Sequence, residues 1–315
     1  MSQKYPSELF RRYEHNPILT ARGWPYPANT VFNSGATLFK GKTLLLVRVE
    51  DLCGVSHLTM ATSTDGFGNW VIEKEPTLSA EPGVLVENWG LEDPRIVYLA
   101  DEDLYAICYT GYSRGGPLVC LATTRDFRQF QRLGAILPPD NKDASLFPRR
   151  IGNDYLLIHR PAPPGAGQTA HMWLARSGNL KHWGQHQLLM EARSGMWDSV
   201  KIGLGAQPIE TPEGWLIIYH GVRITASGSI YRIGLALLDL DDPSQVIRRS
   251  RQWVFGPEAD YERIGDVRDA NFPCGAVVSE QNDELRLYYG AADTTLAVAT
   301  AKVSELLEFL KHEDV

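Results

Sequence analysis

Basic side chains recur at the ends of apolar, strand-like segments of this chain. They are Arg149 and Arg150 in LFPRRI, Arg160 in IHRP, Lys201 in SVKIG and His220 in IYHG. The net charge is −7, which argues against nucleic-acid binding through a general basic surface. A fold that brings these cations together would create a local pocket for a small anion. The alternative is that each is an ordinary surface cation paired with an acid.

A carboxylate stands where the chain enters one of these segments. Asp93 lies in GLEDPR, and Pro94 fixes the backbone after it and keeps Asp93 out of the helical region. A carboxyl group held at such a point could act as an acid. Asp51 and Asp293 end their strands and could bind sugar hydroxyls. The alternative is that these carboxylates are simple turn residues.

Aromatic side chains at loop positions add a third type of candidate. Trp89, Trp197, Tyr109, Tyr112 and Tyr231 could stack on the faces of sugar rings. Most aromatic residues of an all-β fold belong to its core, so this pattern alone does not separate the two roles.

The elements that must position these residues form a repeat. Five similar segments occur at intervals of 51 to 70 residues: LLLVRVED from Leu44, LYAICYTGY from Leu104, YLLIHRP from Tyr155, WLIIYHGV from Trp215 and LRLYYGAAD from Leu285. Turn-like stretches with Gly, Asn or Asp precede them, at 39–42, 99–103, 150–154, 211–214 and 280–283. This pattern predicts an all-β, five-bladed β-propeller in which corresponding strand ends meet around one mouth. A β-sandwich is the alternative.

The length predicts a single domain over residues 1–315, because large all-β folds reach this size without splitting. Residues 303–310 (VSELLEFL) predict a short C-terminal helix that packs on the propeller or on a second subunit. No apolar run is long enough to span a bilayer, and the N-terminal sequence lacks the apolar core of a signal peptide, so we expect a cytoplasmic protein. The cysteines show no CxxC spacing and are interpreted as small core residues, not metal ligands: Cys53, Cys108, Cys120 and Cys274.

Eight motifs together resemble glycoside hydrolase family 130, the β-mannoside phosphorylases and related β-mannosidases. In chain order they are VFNSGA, LVRVED, GLEDPR, DASLFPRRI, KIGLGAQPIETPEGWLIIYHG, YRIGLALLDLDDP, NFPCGA and YYGAADT. The resemblance runs from about residue 16 to residues 303–312, and the matching order argues against chance agreement. It implies a five-bladed propeller, in agreement with the repeat.

The resemblance implies inverting phosphorolysis, in which a β-mannoside and inorganic phosphate give α-mannose 1-phosphate and a shortened acceptor. It implies that Asp93 is the general acid and passes its proton through the 3-hydroxyl of the bound mannose. Positions that match the family's phosphate site are Arg149, Arg150, Arg160, Lys201, His220 and Tyr289. Positions that match the mannose site are Asn33, Ser34, Arg48, Tyr231 and Asp293. The resemblance implies no metal or organic cofactor beyond the phosphate co-substrate, and it implies that homo-oligomers are common.

The cations favour a phosphorylase over a hydrolase. An inverting hydrolase needs a second carboxylate to activate water, whereas phosphate is already an anionic nucleophile. A β-mannosidase, or a five-bladed glycosidase of arabinosides or fructosides, remains the alternative, because Asp51, Glu92 and Asp293 offer further carboxylates. A non-catalytic carbohydrate-binding propeller is a third reading. FPRRI and PIETPEGWLIIYHG resemble members that act on β-1,4-linked mannosides, and the sequence leaves the acceptor open among glucose, mannose and N-acetylglucosamine.

Overall fold

The computed structural model describes residues 8–162, 168–279 and 283–313. Over these residues the chain is all-β, as predicted, with twenty-one strands and two α-helices. The strands fall into five groups that follow one another along the chain, and we call them units 1 to 5. Neighbouring strands within each unit are antiparallel. The first strand of the chain, β1 (Arg11–Arg12), belongs to unit 5.

Units 1 to 3 each contain four strands. Unit 1 consists of β2 (Thr30–Phe39), β3 (Lys42–Glu50), β4 (Ser56–Ser63) and β5 (Val71–Ile72). Unit 2 consists of β6 (Gly90–Leu99), β7 (Leu104–Ser113), β8 (Gly116–Thr124) and β9 (Gln131–Leu137). Unit 3 consists of β10 (Asn141–Leu146), β11 (Tyr155–Pro161), β12 (Met172–Ser177) and β13 (Gly184–Met190).

Units 4 and 5 are joined by a short helix. Unit 4 consists of β14 (Lys201–Leu204), β15 (Ile209–Thr211), β16 (Gly214–Thr225), β17 (Gly228–Leu238) and β18 (Val246–Arg249). Helix α1 (Asp260–Arg263) follows it. Unit 5 consists of β19 (Asn271–Ser279), β20 (Glu284–Ala291), β21 (Thr295–Lys302) and β1. Helix α2 (Val303–Lys311) completes the described elements.

The five repeated segments of the sequence lie in β3, β7, β11, β16 and β20, which confirms them as equivalent strands. The predicted turns at 39–42, 99–103, 150–154 and 211–214 connect each of these strands to the strand before it. Residues 280–282 of the fifth turn lie outside the described residues. Units 1 and 2 share one sheet through a single parallel pair, Ser56 with Gly90. Within the described part of the chain no sheet closes on itself.

Apolar clusters lie between successive units. Each junction buries side chains from both of its units, and the last junction joins unit 5 to unit 1. One fully buried pair for each junction, in chain order, is Leu46 with Ile107, Leu121 with Leu157, Ile158 with Trp215, Ile218 with Leu287, and Tyr288 with Leu45. Burial between facing sheets is the main stabilising term for such layers.

Strand β1 ties the beginning of the chain to unit 5. Arg11 and Arg12 pair with Thr300 and Ala299 of β21. The Arg12 guanidinium also donates to both carboxylate oxygens of the buried Glu262, from Nε to Oε1 at 2.9 Å and from Nη2 to Oε2 at 3.0 Å. This ion pair therefore connects β1 to helix α1.

Replacing Arg12 with alanine should lower the free energy of unfolding by about 3 kcal/mol, because it leaves the Glu262 carboxylate buried without its cation. Urea unfolding followed by circular dichroism measures this change. The matched control is Arg11→Ala, which removes the exposed neighbour in the same strand and should change the free energy by less than about 0.5 kcal/mol. Equal losses for the two variants would contradict the role of the Arg12–Glu262 pair.

Helix α2 packs on the protein's own sheets. Val303, Leu306, Leu307, Phe309 and Leu310 are buried, and they join the apolar cluster of units 4 and 5. The sequence predicted that this helix packs on the propeller or on a second subunit, and in the structure it packs on the sheets of its own chain.

Three of the four cysteines are buried core residues, as predicted, while Cys53 is exposed. None of the helices in the described residues is both long and apolar enough to cross a bilayer.

Candidate active site

Side chains from all five units line one pocket with a volume of about 130 Å³. That volume holds roughly four water molecules at their density in the liquid, so it suits a small polar ligand. The lining residues are Asn33, Arg48, Asp93, Lys142, Asp143, Arg160, Lys201, His220, Tyr231, Val267, Ala270, Phe272 and Asp293.

Three of the polar lining residues occupy equivalent backbone irregularities. Asn33, Asp93 and Asp143 each lie in the first strand of a unit, where the register with the second strand shifts. All three have positive φ angles, of 43°, 51° and 54°. Asn and Asp adopt this left-handed region more readily than other side chains that carry a Cβ. A β-bulge at the same place in units 1, 2 and 3 thus turns one polar side chain of each unit into the pocket.

Asp93 is held as a carboxylate by its neighbours. Its Oδ1 accepts hydrogen bonds from Asn33 Nδ2 at 2.9 Å and from Arg48 Nη1 at 3.0 Å. Burial alone would raise the pKa of Asp93, but the positive charges of Arg48, Lys142 and Arg95 outweigh it and lower that pKa below the ordinary value. With these neighbours Asp93 carries no proton at neutral pH.

Glu92 extends this network beside Asp93. Its Oε1 accepts from Arg48 Nη2 at 3.1 Å, and its Oε2 lies 3.0 Å from Lys142 Nζ. The two cations on this side of the pocket are therefore already matched by two carboxylates.

A second buried carboxylate, Asp143, organises the cations of units 3 and 4. Its Oδ2 accepts from Arg160 Nε at 2.7 Å and lies 3.5 Å from His220 Nε2. Burial would raise the pKa of Asp143, but Arg160, His220 and Arg95 lower it well below its usual range. Asp143 thus fixes the orientation of the Arg160 guanidinium and neutralises much of its charge.

His220 is neutral and has unused hydrogen-bonding capacity. Burial, reinforced by the charges of Arg160, Lys201 and Arg95, lowers the pKa of His220 to about 3, despite the opposing charge of Asp143. Neither ring nitrogen has a hydrogen-bond partner among the described residues. A neutral imidazole has one N–H group, which can donate to an oxygen of a bound anion.

Lys201 differs from the other pocket cations. Among the described residues no carboxylate lies within 4.0 Å of its ammonium group, which stands 5.1 Å from the centre of the Tyr231 ring. Its charge is therefore available to a ligand, whereas those of Arg48, Lys142 and Arg160 are shared with carboxylates.

Arg95 connects two strands of the pocket wall through hydrogen bonds to their backbones. The side chain is fully buried and donates to the backbone oxygens of Asp93, Leu204 and Gly205 at 2.8, 2.9 and 3.0 Å. It therefore fixes β6, which carries Asp93, against β14, which carries Lys201.

Asp293 follows β20 and faces the same charges. Burial and the negative charge of Asp93 raise its pKa to about 6, although Arg48 and Lys142 act in the opposite direction. It is the pocket carboxylate that can hold a proton near neutral pH.

Replacing Asp293 with asparagine should raise the free energy of unfolding by about 3 kcal/mol at pH 8. Because the folded pKa lies above the unfolded value of 3.8, the acid favours folding at low pH and loses that contribution as pH rises through about 6. The gain should therefore shrink to less than about 1 kcal/mol at pH 4. Urea unfolding at both pH values measures the difference, and an equal gain at the two would contradict the raised pKa.

The structure brings most of the predicted site residues together. Asp93, the phosphate candidates Arg160, Lys201 and His220, and the mannose candidates Asn33, Arg48, Tyr231 and Asp293 all line the pocket. Ser34 is fully buried next to Asn33 and does not line it.

The positions of three predicted phosphate ligands require a correction. Arg149 and Arg150 lie in the turn between β10 and β11, whereas Arg160 pairs with Lys142 at the other end of that hairpin. The five steps along β11 from Tyr155, next to the turn, to Arg160 cover about 17 Å of extended chain. Arg149 forms an ion pair with Glu210 at 2.9 Å. Its charge is therefore paired with a carboxylate outside the pocket.

Arg150 and Tyr289 have partners of their own. Arg150 donates to the Tyr155 hydroxyl at 2.8 Å. Tyr289 is fully buried in the apolar cluster of units 4 and 5 and donates its hydroxyl to Glu262 at 2.8 Å. Neither side chain reaches the pocket.

The loop aromatics divide between core and surface. Trp197 and Tyr109 are buried, Trp89 and Tyr112 are exposed, and Tyr231 lines the pocket. Asp51 is a turn residue that accepts from the backbone of Cys53 and Val55 at 2.7 and 2.9 Å.

Two charged lining residues, Lys142 and Asp143, were missed by the sequence analysis, as were the uncharged Val267, Ala270 and Phe272. The available signal was that Asn33, Asp93 and Asp143 each precede their repeated segment by a similar number of residues. Among the described residues, no group of three His, Cys, Asp or Glu side chains has an arrangement that could hold a metal ion.

Comparison with known proteins identifies the family. The model for glycoside hydrolase family 130, described as β-1,4-mannooligosaccharide phosphorylase, matches residues 7–312. The chain belongs to glycoside hydrolase family 130. The relatives from this family include a β-1,4-mannooligosaccharide phosphorylase of Ruminococcus albus, which is 33% identical over 98% of this chain and 93% of its own length.

Other relatives carry a different linkage in their names. A 1,2-β-oligomannan phosphorylase of Thermoanaerobacter sp. is 34% identical over 94% of this chain and 98% of its own. The solved structure of a β-1,2-mannobiose phosphorylase from Listeria innocua with β-1,2-mannobiose superimposes with a TM-score of 0.88, at 32% identity, over 96% of this chain and 99% of that one. These three relatives are thus named as phosphorylases of β-mannosides with different linkages.

Proposed function

We propose that this family 130 protein catalyses inverting phosphorolysis of β-mannosides, releasing α-mannose 1-phosphate and a shortened acceptor. The observation that carries the proposal is one pocket that joins the carboxylate Asp93 to the cationic group of Arg160, Lys201 and His220. A binding module has no need for both.

The side of the pocket formed by units 3 and 4 supports a phosphate site. Arg160 is oriented by Asp143, Lys201 carries a free charge, and His220 offers an N–H group. Together they can hold a phosphate oxyanion in line with the anomeric carbon, where its negative charge faces the positive charge that develops on that carbon. Phosphate then acts as the nucleophile without a general base.

The opposite side, formed by units 1 and 2 with Asp293 of unit 5, supports a mannose site. Asn33, Arg48 and Asp293 offer donors and acceptors for sugar hydroxyls, and Tyr231 offers a ring at the boundary with the phosphate site. Asp93 lies between these groups, bonded to Asn33 and Arg48.

The phosphate co-substrate supplies the one proton that the leaving group needs. A phosphate oxygen bonds to C1 as the bond from C1 to the glycosidic oxygen breaks, and the leaving oxygen gains one proton. Hydrogen phosphate loses one proton when it becomes the phosphate ester, so no outside acid is consumed. Asp93 relays a proton through the mannose 3-hydroxyl. The bound phosphate dianion favours the protonated form of Asp93, because added negative charge raises the pKa of a carboxyl group.

We further propose β-1,4-linked mannosides as substrates, with mannose, glucose or N-acetylglucosamine as the sugar next to the cleaved bond. Support comes from the motifs FPRRI and PIETPEGWLIIYHG and from the name of the Ruminococcus relative. The β-1,2 names of other relatives at similar identity make the linkage the first variable to test.

For the architecture, we propose that the five units are the blades of one propeller, which forms a single catalytic domain over residues 1–315. The apolar junction of unit 5 with unit 1 supports this ring.

The deciding experiment incubates the pure protein with β-1,4-mannobiose, β-1,2-mannobiose and β-mannosyl-N-acetylglucosamine, each with and without phosphate. Mannose 1-phosphate and free mannose are then quantified. We expect α-mannose 1-phosphate only when phosphate is present, with the β-1,4 substrates turned over faster. Free mannose at the same rate without phosphate would instead mean hydrolysis. A faster reaction of β-1,2-mannobiose would overturn only the proposed linkage.

A further inference from the structure

Three exposed apolar side chains lie in or next to the strands of units 1 and 2, and two of them are in contact. Leu52, Trp89 and Tyr112 are 75%, 45% and 38% exposed, and the Trp89 and Tyr112 rings meet edge to face with their centres 5.5 Å apart. We call these three residues the ledge. Large exposed apolar groups that lie together mark binding surfaces more often than singly scattered ones do.

The ledge is continuous with the pocket. Trp89 precedes Gly90, which pairs with Tyr112 on one side and with Ser56 on the other. The Ser56 hydroxyl accepts a hydrogen bond from Nε of Arg48 at 2.9 Å, and Arg48 lines the pocket. Leu52 lies in the hairpin that leads into Ser56. The ledge therefore forms the rim next to the proposed mannose site.

Buried charges hold the backbone beneath the ledge. Glu87 is fully buried two residues before Trp89, and it receives a hydrogen bond from Tyr109 and an ion pair from Arg132. The backbone N–H of Trp89 also donates to the backbone carbonyl of Tyr112 at 2.9 Å. The two rings are thus presented on a fixed support, which lowers the entropy cost of binding a ligand to them.

The geometry of an inverting reaction indicates which part of the substrate lies near the ledge. An inverting displacement requires the nucleophile and the leaving group on opposite faces of the anomeric carbon. The proposed phosphate ligands Arg160, Lys201 and His220 belong to units 3 and 4, so the acceptor leaves toward units 1 and 2. That is the side on which the ledge lies.

We infer that the ledge binds the acceptor part of a β-mannooligosaccharide, with Trp89 and Tyr112 stacking on the second or third sugar beyond the cleaved bond. This inference rests on the proposed phosphorolysis and extends it from disaccharides to longer chains. A sugar presents an apolar face of C–H groups to an aromatic ring, while its hydroxyls stay in water.

The test runs the reaction in the synthetic direction, with α-mannose 1-phosphate as donor. The acceptors are mannose and the β-linked mannobiose and mannotriose of whichever linkage the wild-type protein forms. For Trp89→Ala we expect the KM for mannotriose to rise about tenfold, as for the loss of one aromatic contact. The KM for mannose and for the donor should stay unchanged. Trp89→Phe, which keeps a ring, should restore most of the affinity.

A matched control removes a similarly exposed aromatic residue from the segment between β18 and α1. Trp253 is 41% exposed, and Trp253→Ala should leave all three acceptors unaffected. Circular dichroism and gel filtration of each variant report its folding and association state.

The outcomes separate the two proposals. No turnover of any β-mannoside or acceptor by the wild-type protein would overturn phosphorolysis, and the ledge assignment with it. Wild-type turnover would overturn the ledge assignment alone if Trp89→Ala left the KM for mannotriose unchanged, or raised the KM for mannose and for mannotriose by the same factor. So would a change in association state without a change in acceptor KM, since the ledge would then contact a second copy of the chain.

Discussion

Replacing Asp93 with asparagine should reduce the phosphorolysis rate of a natural β-mannoside by about 10³-fold, the usual size of a general-acid contribution. Asparagine keeps the shape of the side chain, and its Oδ1 can still accept from Asn33 and Arg48. It cannot relay a proton to the leaving oxygen. The measurement is kcat at saturating phosphate, for the wild-type protein and the variant, at several pH values.

An activated substrate makes this prediction specific. The 4-nitrophenolate of 4-nitrophenyl β-mannoside leaves without protonation, so Asp93→Asn should lose far less activity on it than on a disaccharide. Asp154→Asn, in the turn between β10 and β11 at the far end of unit 3, is the control and should behave as wild type. Equal losses on both substrates would show that Asp93 acts on the structure of the pocket and not on the leaving group.

Lys201→Ala should raise the KM for phosphate and lower kcat, with a combined loss in kcat/KM of about 10²- to 10³-fold. The reason is the distribution of charge in the pocket. Arg48, Lys142 and Arg160 are each paired with a carboxylate, so removing Lys201 takes away the free positive charge that the described residues offer to the anion. The loss should also affect α-mannose 1-phosphate in the synthetic direction.

The matched control for Lys201 is Arg149, a cation that the sequence also assigned to phosphate. It is paired with Glu210 and lies at the far end of unit 3 from Arg160, so Arg149→Ala should leave the KM for phosphate unchanged. A fall in phosphate affinity in Arg149→Ala, or unchanged affinity in Lys201→Ala, would contradict the charge distribution described here.

The sequence predicted the repeated strands because each buried strand is a run of apolar residues bounded by turn residues. It could not show which end of a hairpin faces the pocket. Arg149 and Arg160 are close in the sequence, yet one turn of the chain places them at opposite ends of unit 3. Local clustering of charge therefore misled the assignment of Arg149 and Arg150.

Asp143 was missed for a related reason. Its role depends on a bulge that changes which way one side chain of β10 points, and strict alternation along a strand does not reveal a bulge. Asp93 was found from its position before Pro94 and from the resemblance of its motif to a known family, although its contacts with Asn33 and Arg48 depend on a unit that is distant in the sequence.

The pairing of β1 with β21 has a consequence for how the chain folds during synthesis. Units 1 to 4 are local in sequence and can form as each one leaves the ribosome, because domains and motifs tend to fold as units. Arg12 must wait for Glu262, which is 250 residues further along the chain. Contacts of such long sequence separation form slowly, so unit 5 completes last and the N-terminal segment stays without its partner until then.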